Sequence, residues 1–136
     1  MRIAVVSVSA RRAEIPEYVK SLARGIESAG HRVDIIDAWT EDGFRLPGYE
    51  YIAVCAEQLS LRSGKMPDAL PKILGCGSGL AGKKSAAFLK KTGPFFINKA
   101  FSNLMKAMEK EGMLINWSEI LLNPPHAEAI GKRIGA

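Results

Sequence analysis

Apolar positions along this chain change period several times, and each change marks an element. Residues 2–8, RIAVVSV, form a nearly continuous apolar run rich in β-branched side chains, the pattern of a strand covered on both faces. From Ile15 the period lengthens: Ile15, Tyr18, Val19, Leu22, Ala23 and Ile26 share one helical face, Pro16 is tolerated in the first turn, and Gly30 terminates the helix. Residues 33–37, VDIID, predict a second strand and 51–56, YIAVCA, a third of the doubly buried kind, with a loop around Trp39 to Gly48 between them.

A short helix is predicted over 67–74, begun by Pro67 and Asp68, and a fourth strand over 84–89. Ile97, Phe101, Leu104 and Met108 form a helical stripe with Lys99, Lys106 and Lys110 turned to water, and Gly112 ends it. Residues 113–117, MLINW, predict a fifth strand that continues past Glu119 into 120–122. A closing helix follows the breaker Pro124-Pro125. Strands alternating with helices predict a parallel sheet with helices on both faces, because parallel neighbours need right-handed crossovers. Five strands in 136 residues match a three-layer, doubly wound sheet of order 2-1-3-4-5 in one domain spanning 1–136. The ligand crevice of such a sheet lies beyond the carboxyl ends of its strands, so the loops after strands one, three and four carry the function.

The stretch GSGLAGKKSAAF, residues 77–88, contains G-x-G-x-x-G and approaches a phosphate-loop pattern. Both readings need a strand before the glycines and a helix after them. Here a helix precedes and a strand follows, so these glycines form a turn at the amino edge, opposite the crevice. Asp37 ends the second strand, where dinucleotide-binding folds keep an acid, but no glycine fingerprint follows the first strand.

Composition narrows the classes further. Apolar residues make up 47% and charged residues 24%, and no apolar run approaches a membrane span. Cys55 and Cys76 have no metal-ligand spacing, so no metal site is expected, and the pair fits a reducing cytoplasm. Cys55 reads as a core residue and Cys76, in its glycine turn, as exposed. Neither His31 nor His126 has the paired acid or nucleophile that catalysis requires, and no catalytic side chain is assigned. Met105, Met108 and Met113 read as packing. The net charge is +5, and Arg11, Arg12, Arg62, Lys65, Lys90 and Lys91 fall at the predicted crevice. Such a rim favours an anionic ligand; a solvated basic surface is the alternative.

The chain resembles the flavodoxin-like family. The resemblance rests on GKMPDALPKIL between YIAVCA and LAGKKSAAF, supported by MRIAVVSVS, SAGHRVDIIDA, FSNLMKAMEKEGM and AIGKRIGA, and it covers nearly the whole chain. It implies flavin mononucleotide (FMN) held non-covalently, with its phosphate in the loop after strand one and its ring held by the loops after strands three and four. Carried across, the cofactor-binding residues are Ser9, Ala10, Arg11 and Arg12 in the first loop, Glu57, Gln58 and Leu59 in the second, and Thr92, Gly93, Phe95 and Phe96 in the third. It further implies electron transfer or flavin-dependent reduction with a partner protein or NAD(P)H; homo-oligomerisation stays open.

The chain departs from that family at the phosphate loop, where Arg12, Ala13, Glu14 and Ile15 replace T-G-x-T, and at Leu59 and Leu61, where an aromatic ring often stacks on the flavin. Its basic charge also differs from the acidic character of many members. These departures keep a second reading open: a degenerate module without cofactor, acting in interaction or regulation. Nucleic-acid or phosphometabolite binding by the basic rim ranks last, because no aromatic platform for bases is present.

Overall fold

A computed structural model of the chain describes residues 1–11, 14–59, 64–75, 79–91, 93 and 95–134. The elements run β1 (Arg2–Val8), α1 (Glu17–Ser28), β2 (Arg32–Asp37), β3 (Tyr51–Ala56), α2 (Ala69–Gly75), β4 (Lys84–Lys90), α3 (Ile97–Lys110), β5 (Leu114–Leu121) and α4 (Pro124–Gly131). All five strands are parallel and lie in the order β2-β1-β3-β4-β5, as the alternation of periods predicts.

The two faces of the sheet carry separate cores. Ala4, Val6, Ile52, Val54, Ala87 and Leu89 point to one face, where α2 and α3 cover them with Leu70, Ile73, Leu104 and Met108. Ile3, Val5, Ala53, Cys55 and Phe88 point to the other, covered by α1 and α4 through Val19, Leu22, Ile26, Ala127 and Ile130. Strands β1 and β3 alternate between two apolar surfaces, which is why their sequences contain almost no polar residue.

Several boundaries differ from the sequence reading, each for a local reason. Helix α1 begins at Glu17 with Pro16 as its N-cap, so the proline precedes the first turn instead of sitting inside it. Helix α4 starts at Pro124 and includes both prolines that the sequence marks as a breaker. Neither proline has an N–H to lose in a first turn, and the Asn123 side chain accepts from the His126 N–H at 2.9 Å to cap the helix. Strand β5 is continuous over eight residues, with a register shift opposite Ser85 and Ala86 that slips Asn116 out of the pairing and turns Trp117 toward α4.

Helices α1 and α4 cross with backbone in contact. A Cβ on Gly25 would run into the Glu128 carbonyl oxygen, and one on Gly131 into the Leu22 carbonyl oxygen. The glycine turn before β4 lies at the amino edge as expected: Gly82 donates to the Gly112 carbonyl at 2.8 Å and has φ +78, and Lys83 Nζ reaches the Pro47 carbonyl at 2.9 Å. Cys76, Gly77 and Ser78 lie outside the described residues.

Candidate functional site

Sheet register builds the site. Val8 pairs with Ala56, and Ala56 with Leu89, so the next residues of β1, β3 and β4 fall in one row at the carboxyl edge: Ser9, Glu57 and Lys90. The Glu57 N–H still donates to the Val8 carbonyl at 3.0 Å, which extends the ladder by one rung and fixes where the Glu57 side chain starts.

Three loops are tied together from this row. Glu57 Oε1 accepts the Ala10 backbone N–H at 2.9 Å, and Glu57 Oε2 lies 3.6 Å from Lys90 Nζ. Gln58, itself buried, donates from Nε2 to the Phe95 carbonyl at 3.3 Å. Trp39 Nε1 donates to the Ser9 carbonyl at 2.9 Å, bringing in the loop after β2. Farther along the second loop, Asn103 of α3 donates to the Gly64 carbonyl at 2.8 Å, and Leu59 N–H donates to the Lys65 carbonyl at 2.9 Å.

Of the residues that the sequence singles out, the structure brings Ser9, Ala10, Glu57, Gln58 and Phe95 into one bonded set. Arg11 stands exposed beside them, and Gly93 is half-buried in the third loop. Leu59, Phe95 and Phe96 keep 48%, 66% and 50% of their surface in water, a high exposure for three large apolar side chains on two loops joined through Gln58. Arg12, Thr92, Leu61 and Arg62 lie outside the described residues.

Phe96 is the one described non-glycine residue with positive φ (60°), and it is the N-cap of α3. The left-handed conformation costs an L-residue about 1–2 kcal/mol, so the third loop holds strain at the point where it presents an aromatic ring.

The sequence reading treats Lys90 as part of a free basic rim; the structure gives it two partners. Besides Glu57, its ammonium sits 5.3 Å from the centroid of the Tyr18 ring. Tyr18 is 4% exposed, and among the described residues its hydroxyl is the buried side-chain polar atom with no hydrogen-bond partner. Burial, then the neighbouring Cys55 and Glu57, pushes its phenol well above the usual tyrosine range, so it stays protonated. Burial likewise pushes the Cys55 thiol up, which makes it inert as a nucleophile. Replacing Tyr18 with Phe is expected to raise stability by about 1 kcal/mol, because an unsatisfied buried hydroxyl is removed while the ring under Lys90 remains. A urea midpoint that falls would show that the hydroxyl is bonded in solution.

One contributor, Trp39, and one pairing, Glu57 with Lys90, are missing from the sequence reading. Trp39 lies in the loop after β2, which carries no signal of its own; Asp37, at the end of β2, accepts the Trp39 N–H at 2.9 Å and shapes that turn. The Glu57–Lys90 pair was legible in principle, since each residue directly follows the buried run of one of two strands predicted to be neighbours.

Solved structures with the same architecture span nearly the full length of the chain. An archaeal flavodoxin is 20% identical with a TM-score of 0.72, covering 98% of this chain and 96% of its own. Flavodoxin 1 from Bacillus cereus is 16% identical with a TM-score of 0.73, covering 96% and 95%. The fold is flavodoxin-like. A short-chain flavodoxin associated with a non-canonical PDU bacterial microcompartment adds a third such match at 16% identity and a TM-score of 0.72, covering 98% and 97%. No family profile and no curated protein matches the sequence. At these identities the likeness carries the flavodoxin-like fold alone.

The residues at the edge of this flavodoxin-like sheet fit the two ends of a flavin unequally. Leu59, Phe95 and Phe96 offer exposed apolar surface suited to a planar ring. At the other end the Ala10 N–H already serves the Glu57 carboxylate, so a phosphate that used this donor would have to displace it.

Proposed function

We propose that this protein binds a flavin non-covalently at the carboxyl edge of its sheet, with FMN as the form the flavodoxin resemblance implies, and that it acts in electron transfer or flavin-dependent reduction. The observation that carries the reading is the joining of the loops after β1, β3 and β4 through Ala10, Glu57, Gln58 and Phe95, with apolar side chains left exposed beside them. Leu59, Phe95 and Phe96 would hold the ring; Ser9, Ala10 and Arg11, with Arg12, would hold the phosphate end. A bound flavin supplies the redox chemistry, and the protein binds, orients and tunes it. Electrons would pass to or from a partner protein or NAD(P)H.

Among the described residues no helix is long and apolar enough to cross a membrane, and the buried free thiol of Cys55 suits the reducing cytoplasm that we propose as its compartment. Titrating the purified apoprotein with FMN is expected to quench flavin fluorescence with a micromolar dissociation constant. No binding at about 100 μM, where even an affinity of roughly −5 kcal/mol registers, would remove the proposal.

The Glu57–Ala10 contact also favours a second reading, a flavodoxin-like module that has given up its cofactor for interaction or regulation, because its first loop is already closed by the protein's own carboxylate. A silent titration together with a stable partner in a pulldown would select it.

A further inference from the structure

We propose that Glu57 is a specificity-determining residue that makes this site favour a flavin ending in a free hydroxyl over the phosphorylated form. The inference rests on the flavin reading above and concerns only the end of the ligand that meets the loop after β1.

Glu57 has the position of an internal anion. One carboxylate oxygen takes the Ala10 N–H at 2.9 Å and the other faces Lys90 at 3.6 Å, while the side chain is 14% exposed. A phosphate seeking the same N–H must either push this carboxylate away or settle beside it. In the first case Glu57 loses a charge-assisted hydrogen bond and stays poorly hydrated at the sheet edge. In the second, a group with up to two negative charges lies against a carboxylate whose ion-pair partner among the described residues is Lys90. Both penalties fall on the phosphate and neither on the ring.

A ligand ending in hydroxyl groups meets the opposite chemistry. An ionised carboxylate is acceptor-only with about four lone-pair sites, and Ala10 uses one of them. A polyol chain can donate to the remaining sites without displacing Glu57 from Ala10 or from Lys90. The feature that repels a phosphate is therefore an acceptor for a sugar-alcohol hydroxyl.

Riboflavin and FMN, which share ring and ribityl chain and differ only in the phosphate, are the probes. Each is titrated by fluorescence quenching against the wild type, Glu57→Gln, Glu57→Ala and, as an equal change of net charge elsewhere at the same edge, Glu17→Gln. The wild type is expected to bind riboflavin at least as tightly as FMN. Both Glu57 variants are expected to tighten FMN relative to riboflavin by at least about tenfold, the scale of one charge–charge interaction at a partly buried site. Glu17→Gln is expected to move the ratio by less than about twofold, because exposed charges are screened.

Circular dichroism confirms that each variant is folded, and the alanine variant carries the test if the glutamine variant is not. A preference for FMN in the wild type, or an unchanged ratio in a folded Glu57 variant, overturns the role of Glu57 and leaves flavin binding standing. Binding of neither flavin by any of the proteins overturns both.

Discussion

Replacing Gly25 with alanine is expected to destabilise the protein by about 2–3 kcal/mol, the range for forcing a methyl group into a packed contact. In an isolated helix the same change would stabilise by about 1 kcal/mol, because glycine is the poorer helix former. The sign therefore reports tertiary contact alone. Gly25 lies inside α1, where a Cβ would collide with the Glu128 backbone of α4, and Gly131 presses on α1 from the other side. Gly75, at the end of α2 with nothing near its added Cβ, is the control, and Gly75→Ala is expected to be neutral or slightly stabilising. Urea unfolding of the three proteins checks the ordering; a neutral Gly25→Ala would mean that the two helices can separate without penalty.

The second large effect is expected at Phe96, where stability and binding should move in opposite directions. Its φ of 60° is left-handed, so Phe96→Gly removes strain of about 1–2 kcal/mol, less the backbone entropy that glycine adds to the unfolded chain. The melting temperature should stay level or rise. Because half of the ring is exposed, little packing is lost. Under the proposed function the ring contributes flavin contact, so the same variant should weaken flavin binding by about tenfold, the worth of one aromatic contact plus its buried area. Phe96→Ala, which keeps the strain, separates the two effects: it should lose binding without the gain in stability. Unchanged flavin affinity in both variants would assign the strain to the start of α3 alone.

The fold was legible because its signals are physical and local. Doubly buried strands show as nearly continuous apolar runs in β1, β3 and β4, the 3.6-residue stripes of α1 and α3 are clean, and short connections leave few topologies open. Element ends were less legible. The prolines at 124 and 125 read as a break, yet at the first turn of a helix they are favourable, and only the Asn123 cap distinguishes the two cases. The bulge in β5 leaves no trace in the largely apolar run MLINW.

The site was legible as a place more than as a chemistry. Loop positions follow from topology, so the sequence alone groups Ser9, Ala10, Glu57, Gln58 and Phe95 at one edge. Side-chain pairing was not read from the sequence. In the sequence Lys90 reads as a free cation because Glu57 lies more than thirty positions away, and the register that sets them side by side depends on how β3 and β4 align.

The glycine crossing of α1 and α4 bears on how the nascent polypeptide behaves. Residues 17–28 are made early, yet a large share of the surface they bury belongs to residues 124–134. Until residues 124–134 follow them out of the ribosome, Val19, Leu22 and Ile26 have only part of their cover. The growing chain thus carries a greasy stripe over the interval between the two helices, and closure of this layer has to wait for the second of them.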